Sequence, residues 1–226
     1  MQYKPMLFNT QMVRAILAGK KTVTRRLITP QPQARLCYIY AGKNYGKWRY
    51  ASEDAQKSWG EVFQVSADVP CEERERVWSP PARVDDLLWV RETWRATKKC
   101  DLYPNWPIEG NPLYIYKADD PDCDATKFVR WWHPSIHMPK AAARIFLRVQ
   151  SVSCQRIQEI TTEECVREGI DEDMENVCGE GAARDSFRIL WDSTVSERSQ
   201  YGWNANPWVW RIEFERCEKP EGWPIS

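Results

Sequence analysis

Along this chain, short stretches of alternating apolar and polar residues outnumber helical stripes. The first element is nevertheless helical. Met12, Val13, Ile16 and Leu17 recur at helical spacing and give one apolar face over about Gln11 to Ala18. Asn9 or Thr10 supplies its cap and Gly19 its stop. A strand is predicted from about Thr22 to Ile28, ended by Pro30 and Pro32. Its side chains alternate, so Thr22, Thr24 and Arg26 share one face and Val23, Arg25 and Leu27 the other. Further strands are predicted at Leu87 to Trp94, after the turn Val84-Asp85-Asp86, and at Leu113 to Ala118. Another runs from Ala143 to Val149, where Ile145, Leu147 and Val149 alternate with Arg144, Phe146 and Arg148. The last strand places Trp208, Trp210, Ile212 and Phe214 on one face and Val209, Arg211, Glu213 and Glu215 on the other.

The best-marked helix spans Ile160 to Gly169. Thr161 and Glu164 form a capping box, with Ile160 and Cys165 at the hydrophobic-staple positions. The acidic stretch Asp171 to Glu180 reads as a loop, and a helix follows over about Ala182 to Thr194 with Phe187, Leu190 and Trp191 inward. Residues 31 to 80 are irregular and read as an insertion with one hairpin around Tyr38 to Tyr50. Many separated strands with a few short helices predict an α+β chain or a small β-barrel with insertions. No internal repeat, dinucleotide-binding glycine fingerprint or phosphate-binding P-loop is present.

Composition narrows the class. With 226 residues, 42% of them hydrophobic and 28% charged, the chain matches an ordinary soluble globular protein. It is long enough to bury a core without staples. No apolar run reaches the length of a membrane span, and the opening lacks a secretory leader, so a cytoplasmic protein is expected. Thirteen tryptophans against ten glycines exclude collagenous and low-complexity classes. The net charge is zero, yet residues 1 to 52 hold ten basic residues and no acid. Either an anionic partner such as nucleic acid meets that segment, or acidic segments fold back on it. The eight cysteines form no CxxC pair, and reduced thiols, several of them buried, are expected. His133 and His137 resemble half of a zinc ligand set without its cysteine half, and Pro134 opposes a helix that would align them. Neither a metal nor a cofactor is expected.

Three features carry candidate chemistry. Gly19-Lys20-Lys21-Thr22-Val23-Thr24-Arg25-Arg26 packs four cations into seven residues. Mutual repulsion favours the neutral form of a lysine there, which makes it a candidate general base for a threonine nucleophile. That pairing requires Lys21 to lie in the turn before the strand. The same run also reads as a solvated basic turn or a phosphate-binding patch. Glu168 ends its helix where the macrodipole disfavours a carboxylate, which calls for a nearby cation that Lys21 or Arg26 could supply; otherwise it is a solvated surface residue. Trp131-Trp132, and Tyr201-Gly202-Trp203 leading to Pro207-Trp208, suit stacking on an unpaired base where aromatics stand beside basic residues (Arg130, Lys140, Arg144), although most tryptophans belong in the core.

The run Ile16-Leu-Ala-Gly-Lys-Lys-Thr-Val-Thr-Arg-Arg26 resembles the opening motif of the ASCH family, a branch of the PUA-like superfamily. Leu88-Trp-Val-Arg-Glu-Thr-Trp94, Pro134-Ser-Ile-His-Met-Pro139 and the stretch from Tyr201-Gly-Trp to Phe214 resemble segments of longer ASCH-like proteins of phages and prophages. The resemblance implies one PUA-like domain over residues 1–226: a small β-barrel with short flanking helices and insertions at about 31–80 and 95–130. It also implies a cleft for a nucleoside or single-stranded nucleic acid. Small bacterial members include an amidohydrolase that removes the acetyl group of N4-acetylcytidine. By that resemblance Lys21, Thr24 and Glu168 are the catalytic set. Arg26, Lys20, Arg25, His137 and Trp203 are candidates for substrate binding. A non-catalytic reader of RNA or a modified base, and a single-strand ribonuclease of phage origin, are the alternatives.

Overall fold

The computed structural model describes residues 2–38, 47–50, 76–97, 113–119, 131–195 and 199–223. Much of both expected insertions, with Arg130, Cys71, Cys100 and Cys123, lies outside the described residues. The chain divides into two compact units. One comprises Met1–Thr22, Asp85–Val149 and Phe214–Ser226, the other Val23–Val84 and Gln150–Glu213.

The principal sheet has five strands: β1 (Tyr3–Leu7), β2 (Val23–Leu27), β5 (Leu87–Arg91), β8 (Phe146–Arg156) and β9 (Trp208–Cys217), in the order β1-β5-β8-β9-β2. The β1–β5 pair is parallel, whereas β5–β8 and β2–β9 are antiparallel. Two short antiparallel ladders stand apart: β3 (Leu36–Tyr38) with β4 (Trp48–Tyr50), and β6 (Trp94–Thr97) with β7 (Leu113–Tyr116). The helices are α1 (Thr10–Leu17), α2 (Thr162–Arg167), α3 (Met174–Cys178) and α4 (Ala182–Val195). This is an α+β fold. The expected closed barrel does not form among the described residues: the sheet is open and ends in β1 and β2. Closure needs one more strand pairing, and Pro5, with no N–H to give, suits β1 to an edge. No helix among the described residues is long and apolar enough to cross a membrane.

The first unit packs Trp89, Tyr116, Met138, Phe146 and Trp223 into one core. Trp223 centres it, 4.8 Å from the Phe146 ring, while its indole N–H donates to the Lys140 carbonyl at 2.9 Å. Helix α1 begins as expected: Asn9 caps it by accepting from the Met12 N–H, and Val13 and Ile16 face inward. The hairpin expected near Tyr38 to Tyr50 corresponds to β3 and β4; its tip lies outside the described residues.

Three expectations are corrected. Strand β1 falls where none was predicted, because Tyr3 and Leu7 on its outer face are exposed and Pro5 interrupts the pattern. The strand predicted over Leu87 to Trp94 is two strands. Glu92 breaks the ladder by giving its backbone N–H to the Met138 sulfur at 3.2 Å and its carboxylate to Arg144 at 2.9 and 3.0 Å. The predicted acidic loop contains α3. There the Glu175 carboxylate accepts from the N–H groups of Gly181 and Ala183, capping α4.

The second unit buries Ile157, Ile160, Cys165, Phe187, Trp191 and Val209 together, with Leu27 packed against them. Helix α2 starts as its capping signal predicts, Thr161 Oγ1 accepting from the Glu164 N–H. Ile160 and Cys165 share this core. Gly169 ends the helix at φ 95°, a conformation open to glycine at little cost.

Candidate active site

Helix α1 gives way at Gly19 (φ 74°), and the next two backbone N–H groups, of Lys20 and Lys21, both donate to the Ala15 carbonyl. Lys21 therefore lies in the turn that precedes β2, the placement that a lysine–threonine pair requires. Lys20 is exposed, whereas Lys21 is only 2% exposed, its Nζ 5.9 Å from the Phe8 ring centroid. Thr24 and Glu168, in the second unit, are 1% and 2% exposed. Six polar or charged side chains are buried among the described residues: Lys21, Thr24, Arg25, Asp86, Glu92 and Glu168. Lysine and glutamate almost never enter protein interiors without partners.

Register fixes which way β2 points. Thr24 stands opposite Ile212 and Arg26 opposite Trp210, so these four share one face. Val23, Arg25 and Leu27 form the other, opposite Glu213, Arg211 and Val209. Flanked by apolar neighbours, Arg25 enters the side covered by the helices, with its guanidinium 5.8 Å from the Phe187 ring. It donates to Glu168 Oε1 at 3.0 Å and also to Glu164. With its amide turned to present oxygen, Gln155 accepts from the same guanidinium at 2.9 and 3.2 Å. Glu164 also accepts from Arg211 Nε at 2.6 Å, and Arg211 reaches Glu213, which Ser151 and Arg167 contact in turn. Burial pushes the Glu164 carboxyl up, but the Arg25 and Arg211 guanidiniums outweigh it and hold it below the ordinary carboxylate range.

Arg26 is half-buried on the Thr24 face. Burial lowers its pKa from the usual arginine value, and the charge of Glu168 opposes that shift. The Glu168 carboxylate thus meets Arg25 directly and acts electrostatically on Arg26 as well. Arg25 was expected at the substrate; its guanidinium instead serves two glutamates, a partnership that sequence reading did not name.

Trp203 and His137 were nominated as well. Trp203 packs on the helical side, its ring 6.2 Å from Phe187 and 5.6 Å from the Arg184 guanidinium. Its backbone is held by Asp192 and Gln158. His137 is exposed in the short helical turn Ser135–His137 of the first unit. His133 lies against Trp94 with ring centroids 5.0 Å apart. No group of three or more His, Cys, Asp or Glu among the described residues is placed to hold a metal. Trp131 is 79% exposed, while Arg144, once a candidate for its basic neighbourhood, is tied to Glu92 and Asp119 over the Tyr116 ring. Cys154 and Cys165 are buried free thiols, both pushed up to about 12 by desolvation.

No family model matches the chain, and no curated protein does. Among solved structures, the chain is similar to an ASCH domain from Lactobacillus crispatus JV V101. The two are 10% identical with a TM-score of 0.39, over 96% of this chain and 81% of that one.

Proposed function

We propose that this chain is an amidohydrolase of the ASCH type, acting on an N4-acylated cytosine in a nucleoside or in RNA. The observation that carries the reading is burial. Lys21, Thr24 and Glu168, nominated from sequence alone, are three of the six polar or charged side chains buried among the described residues. A lysine placed beside a hydroxyl is a natural general base. In this reaction Lys21 takes the proton of the Thr24 hydroxyl as Thr24 Oγ attacks the acetyl carbonyl. Arg26, on the face of β2 that carries Thr24, stabilises the charge developing on the carbonyl oxygen. The carbon–nitrogen bond then breaks and the cytosine amine leaves with the proton. Water hydrolyses the acyl-threonine, releasing acetate and restoring the hydroxyl. Glu168, a carboxylate fixed by Arg25, positions Lys21 or relays that proton from Lys21 to the departing amine.

The test is incubation with N4-acetylcytidine, with cytidine and acetate followed by chromatography. The wild-type chain should release both. Lys21→Ala and Thr24→Ala should each lose about 10²–10⁴-fold in kcat, the range of a lost acid–base contribution. Turnover by Thr24→Ala at the wild-type rate would overturn the mechanism. A wild-type chain that binds the nucleoside without converting it would instead be a reader, and one that cleaves single-stranded RNA a nuclease.

A further inference from the structure

The face that carries Thr24 and Arg26 is walled by tryptophan, and two of the indoles are chemically incomplete. Trp210 stands directly opposite Arg26, and Trp208 lies two residues away on the same face of β9. Trp48 of β4 packs edge-on against Trp210, with centroids 5.4 Å apart. Its position is fixed by paired backbone hydrogen bonds with Trp78 at 2.7 and 2.8 Å. Trp78 in turn donates its indole N–H to the Pro30 carbonyl at 2.9 Å. Gln31 clamps Trp208 by accepting from its backbone N–H and donating to its carbonyl. The wall is therefore built from both ends.

Trp48 and Trp208 are 8% and 7% exposed, yet the Nε1 of each is buried and has no hydrogen-bond partner among the described residues. Buried indole N–H groups usually find an acceptor, as Trp78 does. An unmet donor weakens a fold unless something else completes it. Trp208 shares the face of β9 that holds Trp210 and Ile212, and the Trp48 ring reaches that face through Trp210. Arg156 covers one face of Trp208, its guanidinium 4.4 Å from the ring centroid, so a ligand that completes these donors meets them at the ring edge and presents acceptors there. Pyrimidine bases have that chemistry, with carbonyl oxygens and, in cytosine, an unprotonated ring nitrogen.

We propose that Trp48 and Trp208 form the base-recognition wall of the site and donate their indole N–H groups to the acceptor edge of a pyrimidine. The proposal rests on the functional reading above and names its specificity element. It also gives β4 a role, since that strand supplies Trp48.

The experiment is a titration of isotope-labelled protein with cytidine, following the indole N–H resonances, with calorimetry alongside. Trp48→Phe and Trp208→Phe assign the two resonances and remove the donors while keeping an aromatic ring. Both resonances should move on addition of cytidine. Each variant should bind cytidine about five- to tenfold more weakly, with its urea midpoint unchanged or raised. If cytidine leaves both resonances in place, or if both variants bind as the wild type does, the proposal is overturned and these tryptophans are core residues only. Wild-type resonances need no variant to fold, so a misfolded substitution does not block the test. Cytidine binding at these donors without hydrolysis of N4-acetylcytidine would sink the hydrolase reading alone. Hydrolysis with both donors unmoved would sink this inference alone.

Discussion

Replacing Arg25 by methionine keeps an apolar stem of similar reach and deletes the guanidinium. In the folded chain that group hydrogen-bonds Glu168 at 3.0 Å, and the two side chains are 1% and 2% exposed. Removing one member of so buried a pair takes from Glu168 its hydrogen-bonded guanidinium and leaves it the charge of Arg26, so the loss is about 3 kcal/mol, the lower end for a broken buried pair. Glu164 adds little to the loss, because it is 18% exposed and keeps Arg211 at 2.6 Å. The cost therefore sits on Glu168, which gives a second arm. Arg25→Met/Glu168→Gln removes both charges and should be about 1–3 kcal/mol more stable than Arg25→Met alone. Urea unfolding followed by tryptophan fluorescence measures both, compared through midpoints at unchanged slope. Domains commonly have about 5–15 kcal/mol to lose, so the single variant should remain folded without urea. A loss below about 1 kcal/mol for Arg25→Met, or a double variant no better than the single, would refute the reasoning.

The thiols and the carboxylates make independent predictions. Iodoacetamide at about pH 8 should alkylate exposed Cys178 in the folded chain, but should reach Cys154 and Cys165 only after unfolding, since desolvation raises both to about 12. Intact-mass and peptide analysis would show it, and equal labelling of all three in the native chain would contradict it. Glu164 and Glu213 are held below the ordinary range: burial raises each, but Arg25 and Arg211 outweigh it at Glu164, and Arg167 with Ser151 at Glu213. Their contribution is present above the unfolded value of about 4.3 and is lost as pH falls through their depressed values; Glu164→Gln should flatten that acid limb. Glu92 runs the other way, because burial raises it despite Arg144. Its stabilisation is full below about 4.3 and is lost as pH rises through the raised value, and Glu92→Gln should remove that decline in urea midpoints.

What was legible in the sequence is what short-range chemistry decides. The caps at Asn9 and Thr161, the glycine stops and the alternation of β2 and β9 all depend on residues within a few positions of one another. What was not legible depended on distant partners. Glu92 interrupts a strand because Met138 and Arg144 wait for it 46 and 52 residues later. The acidic stretch holds a helix whose Glu175 is recruited by the start of the next. Whether the sheet closes depends on edges that no local pattern describes. Strand β1 escaped notice because an edge strand need not alternate cleanly.

Arg25 is the instructive case, since the signal for its partnership was present. Alternation put it between Val23 and Leu27, two apolar residues on its own face, and such a face turns toward a core. A guanidinium held there must meet carboxylates, because an unpaired buried charge is too costly to retain. Glu164 and Glu168 stand four apart, the spacing that puts two side chains on one side of a helix. An arginine between apolar neighbours and a Glu-x-x-x-Glu pair therefore specify each other, with no appeal to function. It follows that the strand separates two tasks by parity. The odd positions, Val23, Arg25 and Leu27, fasten β2 to helix α2 and the core beneath it. The even positions, Thr24 and Arg26, share their face with Trp210 and Ile212 of β9. In the proposed reaction, turnover should thus tolerate change on the odd face only as far as Glu168 keeps its place. Arg25→Lys, which retains charge without the fork, separates holding that carboxylate from merely neutralising it.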